Sequence, residues 1–345
     1  MLGEDLSSAE PAVPPRPLLP ELGRPELEAL SDAVSAASWQ LGLRSWFWGE
    51  GVALLGMLRV AAARGLAPPD PVCEFLTTVP AVLEHVNHLA PAAAAAVAAR
   101  ANGRPDLREV VVDCLAWLEK EAPFTRAGNG ALEHWPGGVW ADTVFMAGSF
   151  LLHAGLLLER GDLVAEAARQ WVAHAELLQH PDSGLFAHGS HRDETIWCFW
   201  GRANAWVALA GVDLVEAAGD VPEVRERLER QLRALIACQP AHGVWDVLVD
   251  GQPENRGVLE TSAAAGLGAA LLRAAGPLGD DRLAKAGWAA VRGALGYLTD
   301  GQLTRVSAGT VLQLMPFGYS VIRDDRPQPW GQGLALHALA AAMGS

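Results

Sequence analysis

The chain has 345 residues, of which 50% are hydrophobic, enough for a large core in one or two domains. Its net charge of -14, with 26 Lys and Arg scattered and no basic stripe, argues against nucleic acid or an anionic membrane surface as a partner. Ala and Leu dominate, only 2 Tyr and 8 Phe are present, and β-branched residues never form alternating runs, so an all-α protein is expected.

Residues 1–25 are Pro-rich and read as a flexible or surface-hugging arm. They lack a basic stretch followed by an apolar core, and no apolar run in the chain approaches the roughly 20 residues that cross a bilayer, so a cytoplasmic protein is expected. From Pro25 onward, apolar residues at three- and four-residue spacing predict helices near 26–38, 50–64, 72–87, 91–101, 107–121, 140–159, 162–178, 199–218, 222–237, 258–274, 280–298 and 330–343. Helical pairs recurring at roughly 50-residue intervals mean an open solenoid or a closed toroid. The loops that precede the more apolar helix of each pair are unequal in length and carry the unusual residues. That fits inner helices whose loop-bearing ends surround one cleft, so residues 26–345 are expected to form a single (α/α)6 barrel. Cys73, Cys114, Cys198 and Cys238 stand singly, without CxxC spacing or a His partner pattern, and are expected to be free thiols.

The stretch Leu132–Ala154, LEHWPGGVWADTVFMAGSFLLHA, places Asp142 in or beside the first turn of an apolar helix. An acid there can simply cap the helix. Trp135, Trp140 and His134 crowd the same loop, however, and aromatic walls around an acid are how proteins grip and hydrolyse sugars. A second stretch, from His180 to Ala208, has a tight turn in HPDSGLF and then FWGRANAW opening a helix. Trp200 and Trp206 lie about 600° apart at helical pitch and read either as a core pair or as cleft walls. The planar fork of Arg202 suits a carboxylate. His134, His153 and His174 lack ligand spacing; Asp246, Asp250 and Glu254 read as a solvated loop; Asp324 and Asp325 read as an exposed turn. Glu260 reads equally as a helix cap or a cleft residue. No HExxH, Walker or dinucleotide motif occurs, and neither metal nor cofactor is expected.

Three pieces, WADTVFM, GLFAH and FWGRANAW, occur in the order and pattern of glycoside hydrolase family 105, the unsaturated rhamnogalacturonyl hydrolases, with family 88 as its neighbour. WFWGEG at 46–51 is similar to that family's opening W-x-W-G-x-G helix, EHVN at 84–87 to its D-H-I-N turn, and LETSAAAG at 259–266 to its E-x-S-A-S-A segment. The resemblance implies an (α/α)6 barrel acting on a small oligosaccharide with an unsaturated uronic acid at its non-reducing end. By motif position, Asp142 would protonate C4 of the vinyl ether and help water add at C5. A poorly hydrated site that raises the carboxyl pKa is what this step needs. His188 would sit beside the sugar ring and Arg202 would hold the uronate. Trp46, Trp48, Trp140, Trp200 and Trp206 would supply walls, and Glu84 and Asn87 further contacts. The chain departs from the pattern at Glu84, where the family usually has Asp, and in the short link from His188 to Trp200, where His191 and Asp193 could rebuild the pocket rim. An (α/α)6 sugar epimerase working with paired histidines, or an inactive sugar-binding toroid, are the alternatives. Aglycone and oligomeric state are not legible in the sequence.

Overall fold

The computed structural model describes residues 14–120, 122, 125–192, 194–219 and 221–345. Twelve of its helices alternate between an outer and an inner position. The outer ones are α1 (Arg24–Gln40), α3 (Asp70–Thr78), α5 (Pro105–Lys120), α7 (Gly161–Leu178), α9 (Pro222–Ala237) and α11 (Asp281–Leu295). The inner ones are α2 (Trp48–Ala63), α4 (Leu89–Asn102), α6 (Asp142–Leu158), α8 (Gly201–Ala217), α10 (Thr261–Leu278) and α13 (Pro329–Gly344). A short helix, α12 (Phe317–Ser320), lies in the last long loop. Each inner helix packs on the next, α2 on α4, α4 on α6, α6 on α8, α8 on α10 and α10 on α13, and α13 returns to α2 and closes the ring. This is the (α/α)6 toroid.

The sequence separates the two rings by pattern. Inner helices bury almost every position; α8, for instance, is buried from Gly201 through Val215. Outer helices bury one stripe, as α9 does with Val224, Leu228, Gln231, Leu232 and Leu235. A helix apolar all round must be enclosed, whereas an amphipathic one covers a core from outside. Closure of the ring depends on small residues where α2 crosses α13. A side chain on Gly333 would collide with the Val52 carbonyl, and one on Gly56 with the carbonyl of Gly333.

All six inner helices begin at one end of the ring, where the unequal loops gather. Their partly positive N-termini therefore converge on that end, and cations suit the opposite one. There Asp213 is held by Arg59 at 2.6 Å and Arg273 at 2.5 Å, with His153 at 3.8 Å.

Eleven of the expected helices lie where the periodicity predicts, within a few residues at each end. The segment 72–87 is corrected: the helix stops at Thr78, because Val79 precedes Pro80 and turns extended (φ -77, ψ 121). The link between His188 and Trp200 is a hairpin of β1 (Gly189–His191) and β2 (Glu194–Ile196); a second small ribbon pairs β3 (Leu298–Thr299) with β4 (Gln302–Leu303). Of the N-terminal arm, residues 14–23 are described. Arg16 donates its backbone N–H to the Tyr297 hydroxyl at 2.9 Å, and the Arg292 guanidinium donates to the Leu19 carbonyl at 2.5 Å, so this piece runs along α11. The four cysteines are free, Cys238 half-buried and the other three buried. Among the described residues no helix is long and apolar enough to cross a membrane.

Candidate active site

The ring's loop-bearing end encloses a cleft of about 370 Å³. Its lining comes from the starts of the inner helices: Trp48 from α2, Asn87 and His88 before α4, Trp140 and Asp142 at α6, and Trp200 and Arg202 at α8. His85, His134, Trp135 and Phe47 complete one side, and Gly309, Thr310 and Val311 of the last long loop form another wall.

Asp142 is the first residue of α6, directly after the N-cap residue Ala141. The loop before it is pinned: Ala141 N–H donates to the His188 carbonyl at 2.9 Å, and Trp140 pairs with Gly189 across a short antiparallel bridge. The carboxylate is thereby held against the imidazole of His188, with Oδ2 at 3.3 Å from Nε2. At that distance Nε2 can donate to Oδ2, and neither atom has another partner in the protein. Asp142 is the one carboxylate among the residues lining the cleft.

The charge balance departs from the expectation. Burial pushes the Asp142 carboxyl up, but hydrogen bonding to His188 and the charge of Arg202 draw it down by more, so the free protein holds it below the ordinary carboxylate range. His134 is itself neutral at ordinary pH, because burial pushes its pKa down to about 3. Its bonds agree. Asn87 Nδ2 donates to Nε2 at 3.4 Å, so Nδ1 carries the hydrogen and donates to Thr143 Oγ1 at 3.1 Å. His85 is likewise fully engaged, Nε2 donating to the His134 carbonyl at 2.8 Å and Nδ1 accepting from Asn87 N–H at 3.2 Å.

Arg202 is 1% exposed and fastens α8 to the last loop. Its Nη1 donates to the carbonyl and hydroxyl of Ser307 at 2.9 and 2.8 Å, and Nη2 to the Ala308 carbonyl at 2.9 Å. Its guanidinium carbon lies 4.4 Å over the Trp200 ring. Behind it stands Glu260 at 3.4 Å. Glu260 is fully buried, caps α10 by accepting from Ser262 N–H at 3.2 Å, and also accepts from Ser307 N–H at 3.2 Å. It is therefore a cap and a counter-charge for Arg202, not a cleft wall.

The flat faces are set by stacking: Trp140 lies on His134 at 4.4 Å and 10°, and Trp48 on Trp330 at 4.4 Å and 27°. Three cleft residues keep a buried polar atom with no partner inside the protein: Asn87 Oδ1, Trp200 Nε1 and Arg202 Nε. Buried polar groups are otherwise nearly always bonded, so such a cluster marks a place built to meet a polar ligand.

A family model described as Glycosyl Hydrolase Family 88 matches residues 31–343. The chain belongs to glycosyl hydrolase family 88. It is accordingly a glycoside hydrolase. It is 34% identical over 247 residues to the unsaturated rhamnogalacturonyl hydrolase YesR of Bacillus subtilis, covering 67% of this chain and 69% of that protein. Its fold matches a candidate GH105-family protein from Klebsiella pneumoniae with a TM-score of 0.84 at 24% identity, covering 95% of each chain. It also matches the unsaturated glucuronyl hydrolase of Bacillus sp. GL1 with a TM-score of 0.68 at 16% identity, over 92% of this chain and 96% of that one.

Within this family 88 chain, the cleft gathers Asp142, Asn87, Trp48, Trp140, Trp200 and Arg202 of the expected residues and leaves out four. Glu84 is exposed; the turn Val86–His88 directs His85 into the cleft instead, while Glu84 N–H caps His88 Nδ1 at 3.1 Å. Trp206 is fully buried against Phe145 at 4.8 Å, since it lies inside α8 whereas Trp200 precedes it. Trp46 is buried and donates Nε1–H to the His88 carbonyl at 2.9 Å, anchoring the turn. His188 is fully buried and does not line the cleft; it backs Asp142 rather than flanking a sugar. His191 is exposed and off the cleft, and Asp193 lies outside the described residues. Asp246, Asp250, Glu254, Asp324 and Asp325 also lie off the cleft.

Proposed function

We propose that this hydrolase acts on small oligosaccharides ending in an unsaturated uronic acid, with Asp142 as general acid and then general base. The observation that carries the reading is a single cleft carboxylate set beside a buried guanidinium between Trp walls. Ordinary glycosidases flank the scissile bond with two carboxyl groups. A vinyl ether needs one, because the same group can deliver a proton and then collect one. Asp142 gives its proton to C4, and the C4=C5 π electrons form the new C–H bond. The positive charge that develops at C5 is shared with the ring oxygen. Water then adds at C5 as the Asp142 carboxylate takes its proton. The resulting hemiketal opens to a 5-keto group and the glycosidic bond collapses, releasing the saturated sugar. The converging helix N-termini and Arg202 favour a uronate over a neutral sugar. The names of YesR and the Bacillus sp. GL1 enzyme support this substrate class.

His85 and His134 do not supply the acid–base pair of an epimerase. Both ring nitrogens of His85 and of His134 are committed to protein partners, which leaves neither free to exchange protons with a sugar.

The low proton affinity of Asp142 in the free protein makes a testable pH signature. A uronate docking at Arg202 offsets the positive charge that draws the carboxyl down, and the sugar expels water; both raise its pKa in the complex. The acid form is lost as pH rises. Therefore kcat/KM, which follows the free enzyme, should already decline through the weakly acid range, while kcat, which follows the complex, holds to a higher pH before falling. The assay is the loss of the conjugated ultraviolet absorbance of an unsaturated galacturonyl or glucuronyl disaccharide. No loss of absorbance on either disaccharide overturns the substrate class, and coincident limbs for kcat and kcat/KM overturn the charge argument.

A further inference from the structure

His188 has no direct place on the cleft surface, yet it is the nearest charged or polar partner of the carboxylate that does the chemistry. Its other nitrogen, Nδ1, lies 2.7 Å from the hydroxyl of Tyr319, a residue 131 positions further along the chain on α12. Tyr319 is fully buried. Its oxygen also lies 3.3 Å from the backbone N–H of Gln313.

For a neutral imidazole, one arrangement of hydrogens satisfies all of these contacts. A backbone N–H can only donate, so at Gln313 the phenol oxygen accepts. Its own single hydrogen then goes to the remaining neighbour, His188 Nδ1, which must present a lone pair. Burial pushes the phenol's pKa well above its ordinary value, so the hydroxyl keeps that hydrogen throughout the working range. A neutral imidazole with a lone pair on Nδ1 carries its hydrogen on Nε2, and Nε2 faces Asp142 Oδ2 at 3.3 Å. The opposite tautomer would leave the buried phenol hydrogen without an acceptor and set two lone pairs against each other at the carboxylate. The ring cannot turn away, because Trp200 packs on it at 4.4 Å and Trp140 at 5.3 Å.

We propose that Tyr319 is a positioning residue that holds His188 in the Nε2–H tautomer, so that His188 donates to Oδ2 of Asp142 and leaves Oδ1 as the oxygen that carries the transferable proton. This rests on the reading of Asp142 as the acid. It also joins the acid to the last long loop, whose Gly309, Thr310 and Val311 wall the cleft while its Tyr319 sets the imidazole. Substrate contacts with that wall and proton delivery at Asp142 therefore depend on one segment.

The test has two readouts, one of which needs no substrate. In protein labelled with 15N-histidine, the His188 signals, assigned by their absence from a His188→Gln sample, should show a protonated Nε2 and an unprotonated Nδ1. In Tyr319→Phe the signals should shift toward a mixture of tautomers, and kcat should fall about 10- to 100-fold while KM changes little, the scale set by leaving one buried polar group unpaired. A protonated Nδ1 in the unmutated protein overturns the proposal, and this measurement stands even if Tyr319→Phe fails to fold. A folded Tyr319→Phe with unchanged tautomer and unchanged kcat overturns it too. If the unmutated protein leaves unsaturated disaccharides untouched, the substrate reading fails, and the imidazole signals still decide the tautomer.

Discussion

Asp142→Asn should keep the fold and the affinity for an unsaturated uronyl disaccharide while lowering kcat about 10²- to 10⁴-fold, the usual reach of a general acid. The amide has nearly the shape of the carboxyl, so the loop pinned by Ala141 and Trp140 is undisturbed. It has no proton of suitable acidity for C4 and no basic oxygen to receive one from water, so both steps fail together. Stability should fall modestly near neutral pH, because the neighbours that hold the Asp142 pKa below its ordinary value favour the carboxylate over any neutral group, and the amide forgoes that gain. Rate measurements on saturating substrate, with binding followed by calorimetry, check this. Turnover within tenfold of the parent would remove Asp142 from the chemistry.

Arg202 carries the second large effect, and it is twofold. Arg202→Met leaves Glu260, which is fully buried, without the cation beside it at 3.4 Å. It also cuts the bonds to Ser307 and Ala308 that hold the last loop. Breaking one side of a buried ion pair costs about 3–5 kcal/mol, and here that loss should appear in denaturant unfolding. Adding Glu260→Gln removes the stranded charge and should restore a good part of the stability. It should not restore function, because the guanidinium proposed to meet the uronate is still missing, and KM should stay high. A single variant as stable as the parent would deny the buried pair its structural part. A double variant with normal KM would deny Arg202 its part in binding.

The toroid was legible because the two rings obey different patterns. Inner helices such as α8 and α13 are apolar on every side and outer ones such as α9 on one stripe, and that contrast is local to each segment. Asp142, Trp140, Trp200 and Arg202 were legible because each sits in a compact stretch at the start of an inner helix. What the sequence hid depends on single-residue register or on distance along the chain. Whether Glu84 or His85 enters the cleft is decided by one step around a tight turn, and the helical period does not extend into that turn. Trp206 reads like Trp200 until the start of α8 is placed between them. His134 and Trp135 stood in the very loop that was singled out, and their crowding with Trp140 was the signal available for them. Gly309–Val311 and Tyr319 carry no such signal, since they reach the site through a loop without periodicity and through a contact 131 residues long. The charge state of Asp142 was hidden for the same reason: burial alone argues for a raised pKa, and only the assembled neighbours reverse it.

The proposal that Asp142 protonates C4 is tested most directly by turnover in D2O, with the product trapped by reduction and read by proton NMR. Delivery from a fixed carboxyl on one face of the ring predicts a single deuterium at C4 in one stereochemical position. Equal deuterium in both positions, the outcome of a glycosidic cleavage that leaves the double bond to rearrange by itself in solution, would contradict the account.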